Sequence, residues 1–511
     1  MTCAAAEIRL AAYSYRFGLS AFDVLHVSRR RPVGCICEGH KMEKADIGMV
    51  GLGVMGSNLA LNIAEKGYTV AVYDRDEPVL KAFVEKAGPL RDKIIPCPTF
   101  EDLAANIRKP RPIIFLIKAG SPVDTETTRL KAYLEKGDIM IDAGNSDYRD
   151  TVRRLKALGS NDPTFVGMGV SGGAEGARHG PSMMVGGTEE AYERIAPILL
   201  AAAAKYKDEP CCALVGPDGA GHFVKTIHNG IEYADMQMIA EIYGILRDGL
   251  GLSAPAIGDV FEKWNEGPLN SYLIEITAKV LKATDPETGK AMVDVILDEA
   301  GQKGTGRWAA IEAQMLGVPA TAIEAAVAAR SLSSLKATRE LAAKAYKPGS
   351  RSLDISDQAK FLSDLEHGLL AGKIAAYAQG FAVMEAASQE HGWNIPLAET
   401  ARIWRAGCII RSQLLDDIAH AFEDSESRNL LLAPAFVDRM SKASKGLRQI
   451  VAKAALAGLP LPALGSALSY FDSFTQPLGT ANLIQGQRDF FGSHGFKRID
   501  KDGDFHCPWG E

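Results

Sequence analysis

One stretch of the sequence combines the side chains that proton-transfer chemistry needs. The stretch is FVKTIHNGIEYADM, residues 223–236. Advanced as an α-helix at about 100° per residue, it puts five polar side chains within one arc of about 140°: Lys225, His228, Asn229, Glu232 and Tyr233. An amphipathic helix with a solvated polar face is the alternative, but such a face usually carries several Glu and Lys residues. One base, one acid and three hydrogen-bonding groups on a rigid element instead favour general acid–base chemistry.

A glycine-rich turn, GLGVMG, follows a predicted strand at residues 51–56. Gly51 permits a tight turn, Gly53 lets a pyrophosphate approach the backbone, and Gly56 allows the next helix to pack closely on the strand. A second predicted strand ends at Asp74, where an acidic side chain can contact an adenosine ribose. A glycine-rich turn of another α/β protein is the alternative, but this context favours a dinucleotide site.

Two further groups of residues are ambiguous by themselves. The segment GVSGGAEGARHGPSMMVGG, residues 169–187, places glycines and a serine at the end of a predicted parallel strand, where ligands bind in such sheets. A glycine-rich connector has the same composition. Lys303, Arg330 and Arg488 are dispersed cations, and each alone is typical of a surface or ion-pair residue.

The elements that must position these residues change in type along the chain. Up to about residue 215, short β-rich runs alternate with amphipathic stretches of helix length, which predicts parallel βαβ units. The runs are residues 47–51, 69–73, 113–117, 139–142, 165–170 and 213–215.

After residue 221 the chain becomes rich in Ala, Leu, Ile and Glu, which predicts an all-helical region. Residues 369–387 have so few charges that they are expected to form a core helix. The helix-length stretches are residues 220–250, 319–346, 359–391 and 396–420.

The predicted fold is therefore an α/β Rossmann-type N-terminal domain followed by a large all-α domain and a C-terminal tail. The boundaries are an N-terminal extension at 1–44, expected to be disordered, the dinucleotide-binding domain at 45–219, the helical domain at 220–479 and the tail at 480–511.

Composition excludes several classes of partner. The net charge of −6 over 511 residues gives no general basic field for nucleic acid, so an anionic substrate needs local cations. No apolar run reaches the ~18 residues that a membrane-spanning helix needs. The eight cysteines form no disulfide or zinc framework, which favours a reducing, cytoplasmic compartment. No cluster of metal-ligand residues is found.

Residues 1–41 carry six Lys or Arg against three acids. An organelle-targeting segment is one interpretation, although it should be poorer in acids. An upstream start codon, with Met42 as the working initiator, is favoured because the first predicted strand begins near Asp46. Protein expressed from Met42 should therefore match the full chain in activity and melting temperature. A clear loss of either would show that the extension packs on the fold.

These motifs, in this order, resemble the decarboxylating 6-phosphogluconate dehydrogenases over about residues 45–507. The strings that carry the resemblance are GLGVMG, IDAGNS (141–146), GVSGGAEGA (169–177), KTIHNGIEYADMQ (225–237), DVILDEAGQKGTG (294–306), RAGCIIR (405–411) and ANLIQGQRDFFGSH (481–494). The resemblance implies a homodimer in which each C-terminal tail reaches into the partner subunit.

The resemblance also implies residue roles. Lys225 would be the general base and acid, and Glu232 the second acid. The sugar acid 6-phosphogluconate would be held by Asn145, Ser171, Gly172, Gly173, His228 and Asn229. Its phosphate would be bound by Tyr233, Lys303 and Arg330, with Arg488 from the other subunit's tail, and His494 of that tail would also touch the substrate. NADP or NAD would contact Gly51, Gly53, Val54, Met55, Gly56, Asp74, Arg75, Asp76, Ile117, Lys118, Ala119 and Asn145.

The implied chemistry is oxidation of 6-phosphogluconate to a β-keto acid, loss of CO2 without a metal, and protonation of the resulting enediol to ribulose 5-phosphate. Lys225 must start neutral, so its pKa should be lowered by burial or by nearby positive charge. Two alternatives remain: another β-hydroxyacid dehydrogenase, whose chains are much shorter and lack the helical domain, and a non-catalytic dinucleotide sensor, which would have no reason to keep Lys225, Asn229 and Glu232 together.

One departure from the family concerns the cofactor. Most members carry Asn-Arg-Ser/Thr after the second strand, which receives the 2′-phosphate of NADP. This chain has Asp74-Arg75-Asp76. Two carboxylates would face that phosphate, while Asp74 suits the ribose hydroxyls of NAD. The sequence therefore favours NAD, with Arg75 still able to meet an adenine or a phosphate.

Overall fold

A computed structural model describes residues 43–424 and 427–510. The predictions made for residues 1–41 and for a start at Met42 lie outside the described residues. Near the start of the described residues, Ala45 is buried and forms a β-bridge with Ile107.

An eight-stranded sheet forms the centre of the N-terminal half, in the order β10-β7-β6-β5-β4-β1-β2-β3. Its neighbours run parallel except β6 and β7, which are antiparallel. The strands are β1 Ile47–Val50, β2 Val70–Tyr73, β3 Ile94–Pro96, β4 Pro112–Phe115, β5 Ile139–Asp142, β6 Thr164–Ser171, β7 Ser182–Gly186 and β10 Cys212–Gly216, while β8 Lys205–Tyr206 and β9 Glu209–Pro210 pair apart from it.

Helices cover both faces of this sheet, and apolar side chains pack between the layers in two clusters. Strands buried on both faces read as nearly continuous apolar runs, which is the pattern of residues 47–50 and 139–142. The covering helices are α1 Val54–Glu65, α2 Glu77–Lys86, α3 Phe100–Ala105, α4 Ser121–Lys131, α5 Tyr148–Lys156, α6 Gly173–His179 and α7 Glu189–Ala202.

The predicted Rossmann-type class and the six predicted strands are confirmed, and the strand at residues 139–142 is confirmed at both ends. The expectation of parallel units alone is wrong at β7, which pairs antiparallel to β6 with Met168 opposite Val185. This strand lies in the glycine-rich segment that resembled a connector. The short strand Ile94–Pro96 was also missed, because three residues give too little alternation to recognise.

After the sheet the described chain is predominantly helical, as predicted. Its helices are α8 Ala220–Gly244 with a π-helical end at Ile245–Gly249, α9 Ala254–Trp264, α10 Tyr272–Lys282, α11 Met292–Val295, α12 Thr305–Met315, α13 Thr321–Ser333, α14 Lys336–Tyr346, α15 Gln358–His391, α16 Leu397–Ile403, α17 Leu414–Asp424, α18 Pro434–Leu456, α19 Pro462–Phe474 and α20 Ala481–Gly492.

Helix α15 is the core helix predicted over residues 369–387, and most of its side chains from Gly368 to Ser388 are buried. It packs along α8, where Lys373 donates to both carboxylate oxygens of Asp235 at 2.6 and 2.5 Å. Both side chains are almost fully buried. Removing one partner of such a pair typically costs about 3–5 kcal/mol, so this contact fixes α8 against α15.

Two predicted helical stretches are broken. Residues 319–346 form α13 and α14, separated at Ser334–Leu335, and residues 404–413 interrupt the stretch predicted at 396–420. In that interruption Gly407 has a φ of 68° and its carbonyl accepts from the Ser182 amide at 2.8 Å. The break therefore joins the helical region to β7. None of the described helices is long and apolar enough to cross a membrane.

Candidate active site

The polar face predicted on residues 223–236 lies on α8 and is buried, not solvated. Lys225 is 7% exposed, His228 0% and Asn229 8%. The Lys225 amine donates to the Asn229 side-chain oxygen at 2.6 Å, one helical turn away. The helical spacing thus brings base and amide together as predicted, and burial excludes the solvated-face alternative for these three residues.

Strand β6 supplies the opposite wall of this cluster. Ser171 ends the strand, and its hydroxyl lies 3.2 Å from Lys225 Nζ and 3.3 Å from His228 Nε2. Two residues earlier in the strand, a Cβ atom on Gly169 would lie only 2.4 Å from Lys225 Cβ. The absence of a side chain at Gly169 therefore lets the helix approach the strand closely enough for Lys225 to reach Ser171.

Burial sets the charge states in the cluster. It lowers the pKa of Lys225, with the Glu232 carboxylate acting in the opposite direction. Burial and then the Lys225 charge lower the pKa of His228 well below its usual value, so His228 is a neutral hydrogen-bonding group. Burial raises the pKa of Glu232, against the nearby positive charges of Lys225 and Arg330. Burial thus shifts the Lys225 amine and the Glu232 carboxyl towards their uncharged forms, which is the direction that a base and an acid on one helix need.

A cationic end of the site lies beyond Glu232. The Arg330 guanidinium stacks over the Tyr233 ring at 4.5 Å and donates to the Gly301 carbonyl at 3.1 Å. Four residues after Gly301, the Thr305 hydroxyl accepts from the Asn229 amide at 2.9 Å. The segment 301–305 is therefore tied to the site at both ends, and Lys303 lies exposed between them. Two of the three dispersed cations, Lys303 and Arg330, therefore lie at this end of the site, with Tyr233.

The two substrate contacts predicted for the tail, Arg488 and His494, do not lie at this site. Arg488 lies on α20 and donates to Gln485 at 3.0 Å. The His494 ring lies 6.0 Å from that of Phe491. Within residues 43–424 and 427–510, no hydrogen bond or ion pair joins Arg488 or His494 to the Lys225 cluster of the same chain.

The candidate cofactor residues collect along one edge of the sheet. Because β1, β2, β4, β5 and β6 are parallel neighbours, their carboxyl ends lie together. The glycine turn follows β1, Asp74 follows β2, Ile117, Lys118 and Ala119 follow β4, Asn145 follows β5, and Ser171 ends β6. A cavity of about 460 Å³ opens there, lined among others by Gly51, Gly53, Asp74, Arg75, Asp76, Ile117 and Lys118.

The glycine turn fits a dinucleotide. Gly51 has a φ of 94°, and a Cβ on Gly56 would lie 1.9 Å from the Gly51 carbonyl oxygen. A Cβ on Gly53 would meet no atom within 4 Å, which leaves open space beside the turn. Gly53 also caps α1 without a side-chain hydrogen bond, so the first amides of α1, beginning at Val54 and Met55, are free to bind phosphate.

Asp74 has a structural contact that the sequence did not predict. Its two carboxylate oxygens accept from the Leu52 amide at 2.8 Å and the Asp76 amide at 3.0 Å. Asp74 therefore braces the glycine turn against the end of β2. The Asp76 side chain is exposed at the start of α2 and makes no capping hydrogen bond there.

Two further residues that sequence patterns missed hold the site in place. Thr305 anchors Asn229, as described above. Arg154, buried on α5, donates to the Gly120 carbonyl at 3.0 Å and to Asp142 at 3.1 Å. It thereby ties the loop that follows β4 to the end of β5. In the sequence, the only local indication of the Arg154 contact was a carboxylate, Asp142, at the end of a buried strand.

Among the described residues, no three or more His, Cys, Asp or Glu side chains are grouped as metal ligands would be.

Family sequence models match both parts of the chain. The NAD binding domain of 6-phosphogluconate dehydrogenase matches residues 46–216, and the 6-phosphogluconate dehydrogenase C-terminal domain matches residues 221–509. Two curated relatives come from Bacillus subtilis strain 168. The NAD(+)-dependent decarboxylating 6-phosphogluconate dehydrogenase is 45% identical over 91% of this chain and 99% of its own length. The NADP(+)-dependent enzyme is also 45% identical, over 92% of this chain and 100% of its own.

A solved structure agrees over the same span. Plasmodium falciparum 6-phosphogluconate dehydrogenase, studied in its apo form and in complexes with its cofactor NADP+ and its substrate 6-phosphogluconate, superposes with a TM-score of 0.88. The sequences are 41% identical, and the match covers 91% of this chain and 100% of that one.

Proposed function

This chain belongs to the 6-phosphogluconate dehydrogenase family, and on that premise we propose how its own side chains divide the work. The protein is an NAD(P)-dependent decarboxylating dehydrogenase that converts 6-phosphogluconate to ribulose 5-phosphate and CO2. The observation that carries the assignment of roles is the buried amine of Lys225, held between Ser171 and Asn229.

Lys225 is the base and the first acid. Its amine, whose pKa is lowered by burial, accepts the proton of the substrate's 3-hydroxyl. A dinucleotide bound in the cavity lined by Gly53 and Asp74 would supply the acceptor for the hydride of carbon-3. Lys225, now an ammonium, donates to the new ketone oxygen, which lets the β-carboxylate leave as CO2. The electron pair of the broken carbon–carbon bond stays on the substrate and forms an enediol, in which the former ketone oxygen carries that proton.

Glu232 is the second acid. Burial raises the pKa of its carboxyl, which favours the protonated form that an acid needs. That proton goes to the carbon that lost CO2 and gives ribulose 5-phosphate. Ser171, His228, Asn229 and Asn145, with the backbone at Gly172 and Gly173, hold the sugar acid in this scheme.

The phosphate of the substrate binds at the cationic end. Tyr233, Arg330 and Lys303 supply one side, and the stack of Arg330 on Tyr233 keeps the guanidinium in place. Arg488 and His494 of a second copy complete it. This arrangement requires a homodimer in which the tail, residues 480–511, crosses to the helical domain, residues 220–479, of the other subunit.

The surface of the tail supports that proposal. Leu483, Phe490 and Phe491 are 66%, 68% and 73% exposed, so α20 presents an apolar face to solvent in the single chain. A cavity of about 690 Å³ between α20 and Trp509 is lined by the same residues. An apolar face of this kind on a mostly polar tail is typical of a protein interface, and we assign it to the second copy.

The cytoplasm is the proposed compartment. Four described thiols, those of Cys97, Cys211, Cys212 and Cys408, are buried and unpaired, and Cys507 is exposed and unpaired. Free thiols suit a reducing compartment. Fractionation of the native cells, with the activity in the soluble fraction, is the test.

The cofactor site is proposed to use NAD at least as efficiently as NADP. The Asp74 carboxylate already accepts from the Leu52 and Asp76 amides. The exposed Asp76 carboxylate is therefore the group that would repel a 2′-phosphate. Two unit charges about 4 Å apart in water interact by about 1 kcal/mol, about a fivefold effect. Asp76→Thr should therefore raise the ratio of kcat/KM for NADP over NAD at least about fivefold, measured by absorbance of the reduced nicotinamide with 6-phosphogluconate.

Glu77→Gln is the matched control, because Glu77 is a neighbouring acid that already pairs with Lys81 at 2.7 Å and does not line the cavity. Asp74→Asn should instead weaken the use of both dinucleotides, because it removes an acceptor of the glycine turn. A wild-type enzyme strongly selective for NADP would contradict the preference. No 6-phosphogluconate-dependent reduction with either dinucleotide would contradict the function itself.

A further inference from the structure

Among the described residues of the tail, 480–510, one charged side chain is buried. Asp489 on α20 is 3% exposed, although it is flanked by the exposed side chains of Arg488 and Phe490. Asp489 is the only buried residue of α20, Ala481–Gly492, all of which is described. A carboxylate in the last turn of a helix is unfavourable towards the helix dipole, so its position requires compensating partners.

Four donors converge on this carboxylate. One oxygen accepts from the Gly495 amide at 2.9 Å and contacts His506 Nδ1 at 2.7 Å. The other accepts from the Cys507 amide at 3.1 Å and from the Trp509 indole N–H at 2.8 Å. Three of the donors come from residues 506–509, close to the end of the chain. Asp489 thus binds the last turns of the chain to α20.

The segment between these contacts closes on itself. Phe496 and Phe505 exchange two backbone hydrogen bonds, at 2.9 and 3.0 Å. The chain reverses direction at Ser493 and Gly495, which both have positive φ, 49° and 72°. Residues 493–509 therefore form a closed loop that is anchored on α20 by polar contacts with Asp489 and little apolar core.

The two tail residues proposed to bind substrate lie directly beside this anchor. Arg488 precedes Asp489 in the helix. His494 precedes Gly495, whose amide is bound by Asp489. The Asp489 carboxylate therefore fixes the backbone at Arg488 relative to the backbone at His494, the two tail residues proposed to bind substrate.

We infer that Asp489 is a positioning residue for the substrate phosphate: by closing residues 493–509 onto α20, it sets Arg488 and His494 in the geometry needed to bind 6-phosphogluconate at the Lys225 cluster of a second copy. The inference rests on the proposed function of the tail. It adds a requirement that the end of the chain, through His506, Cys507 and Trp509, supports substrate binding without touching the substrate.

The test uses the full-length enzyme with Asp489→Asn. Asparagine keeps the shape but replaces one acceptor oxygen with a donor that faces other donors. The KM for 6-phosphogluconate should rise about tenfold or more, the effect of losing one charge-assisted contact. The KM for the dinucleotide should stay unchanged. Hydrogen exchange of the amides in residues 493–509 should accelerate. Trp509→Phe, which removes a single donor, should raise the substrate KM in the same direction by less.

Asp500→Asn is the matched control, because Asp500 is an exposed tail acid paired with Arg498 at 2.7 Å, and it should change none of these values. Arg488→Ala is measured in parallel. If Arg488→Ala raises the substrate KM and neither Asp489→Asn nor Trp509→Phe does, the positioning role is overturned while the tail's function stands. If none of the three changes it, the proposed function of the tail falls as well. If Asp489→Asn raises both KM values and lowers kcat to a similar extent, its role is a general one in folding, and the inference is overturned.

Discussion

Lys225→Met is expected to fold normally and to lose at least about 10²–10⁴ in turnover, the usual contribution of a positioned acid–base group. Methionine has a similar volume and is apolar, so the buried position between α8 and β6 should tolerate it. In the proposed mechanism, both the proton removal and the ketone protonation depend on this one amine. The measurement is kcat with saturating 6-phosphogluconate and dinucleotide, together with the melting temperature.

The pH profile of the wild-type enzyme gives a second measure of the same group. Burial lowers the pKa of Lys225 from its usual 10.5, and the active form is the deprotonated one. Activity should therefore rise with pH through that lowered pKa.

Lys360→Met is the matched control for Lys225→Met, because Lys360 is an exposed lysine paired with Asp364 at 2.9 Å. Near-normal turnover of Lys225→Met would remove Lys225 from its role.

The sequence predicts the polar face of α8 well because its information is local. The 3.6-residue period alone puts Lys225 and Asn229 on one face, and the structure places their side chains 2.6 Å apart. The dinucleotide turn is local in two respects, since Gly51 has a φ of 94° and Gly56 lies against the carbonyl of Gly51, five residues earlier. Both features depend on backbone geometry that a short stretch of sequence specifies.

Contacts that join distant segments cannot be predicted from such patterns. Strand β7 was missed because the partner that makes it a strand, β6, is identified only by tertiary pairing. Arg330 and Tyr233 are brought together by the packing of α13 on α8, and no spacing in the sequence indicates this. The anchoring of the tail by Asp489 is similar, because its four donors are polar groups with no periodicity. The family resemblance supplied Arg330, but it did not supply Asp489, Arg154 or Thr305.

Recovery of activity from two inactive variants is the second large effect expected, and it tests whether the active site is shared between subunits. Lys225→Ala removes the base, and Arg488→Ala removes a charge-assisted contact to the phosphate, so each variant should be nearly inactive at low substrate. The two proteins are unfolded together in equal amounts and refolded. If the tail acts on the second copy, each mixed dimer has one site with both residues intact and one site with both defects.

Random pairing in a two-fold dimer makes about half of the dimers mixed, so roughly a quarter of wild-type sites should return. Lys225→Ala refolded with Glu232→Gln is the negative control. Both of those residues lie on α8, so no pairing of subunits produces an intact site wherever the tail lies. If the tail instead folds back onto its own subunit, every site in the first mixture keeps one defect. Absence of recovery, with mixed dimers confirmed by mass, would therefore rule out a shared site and assign Arg488 to its own chain.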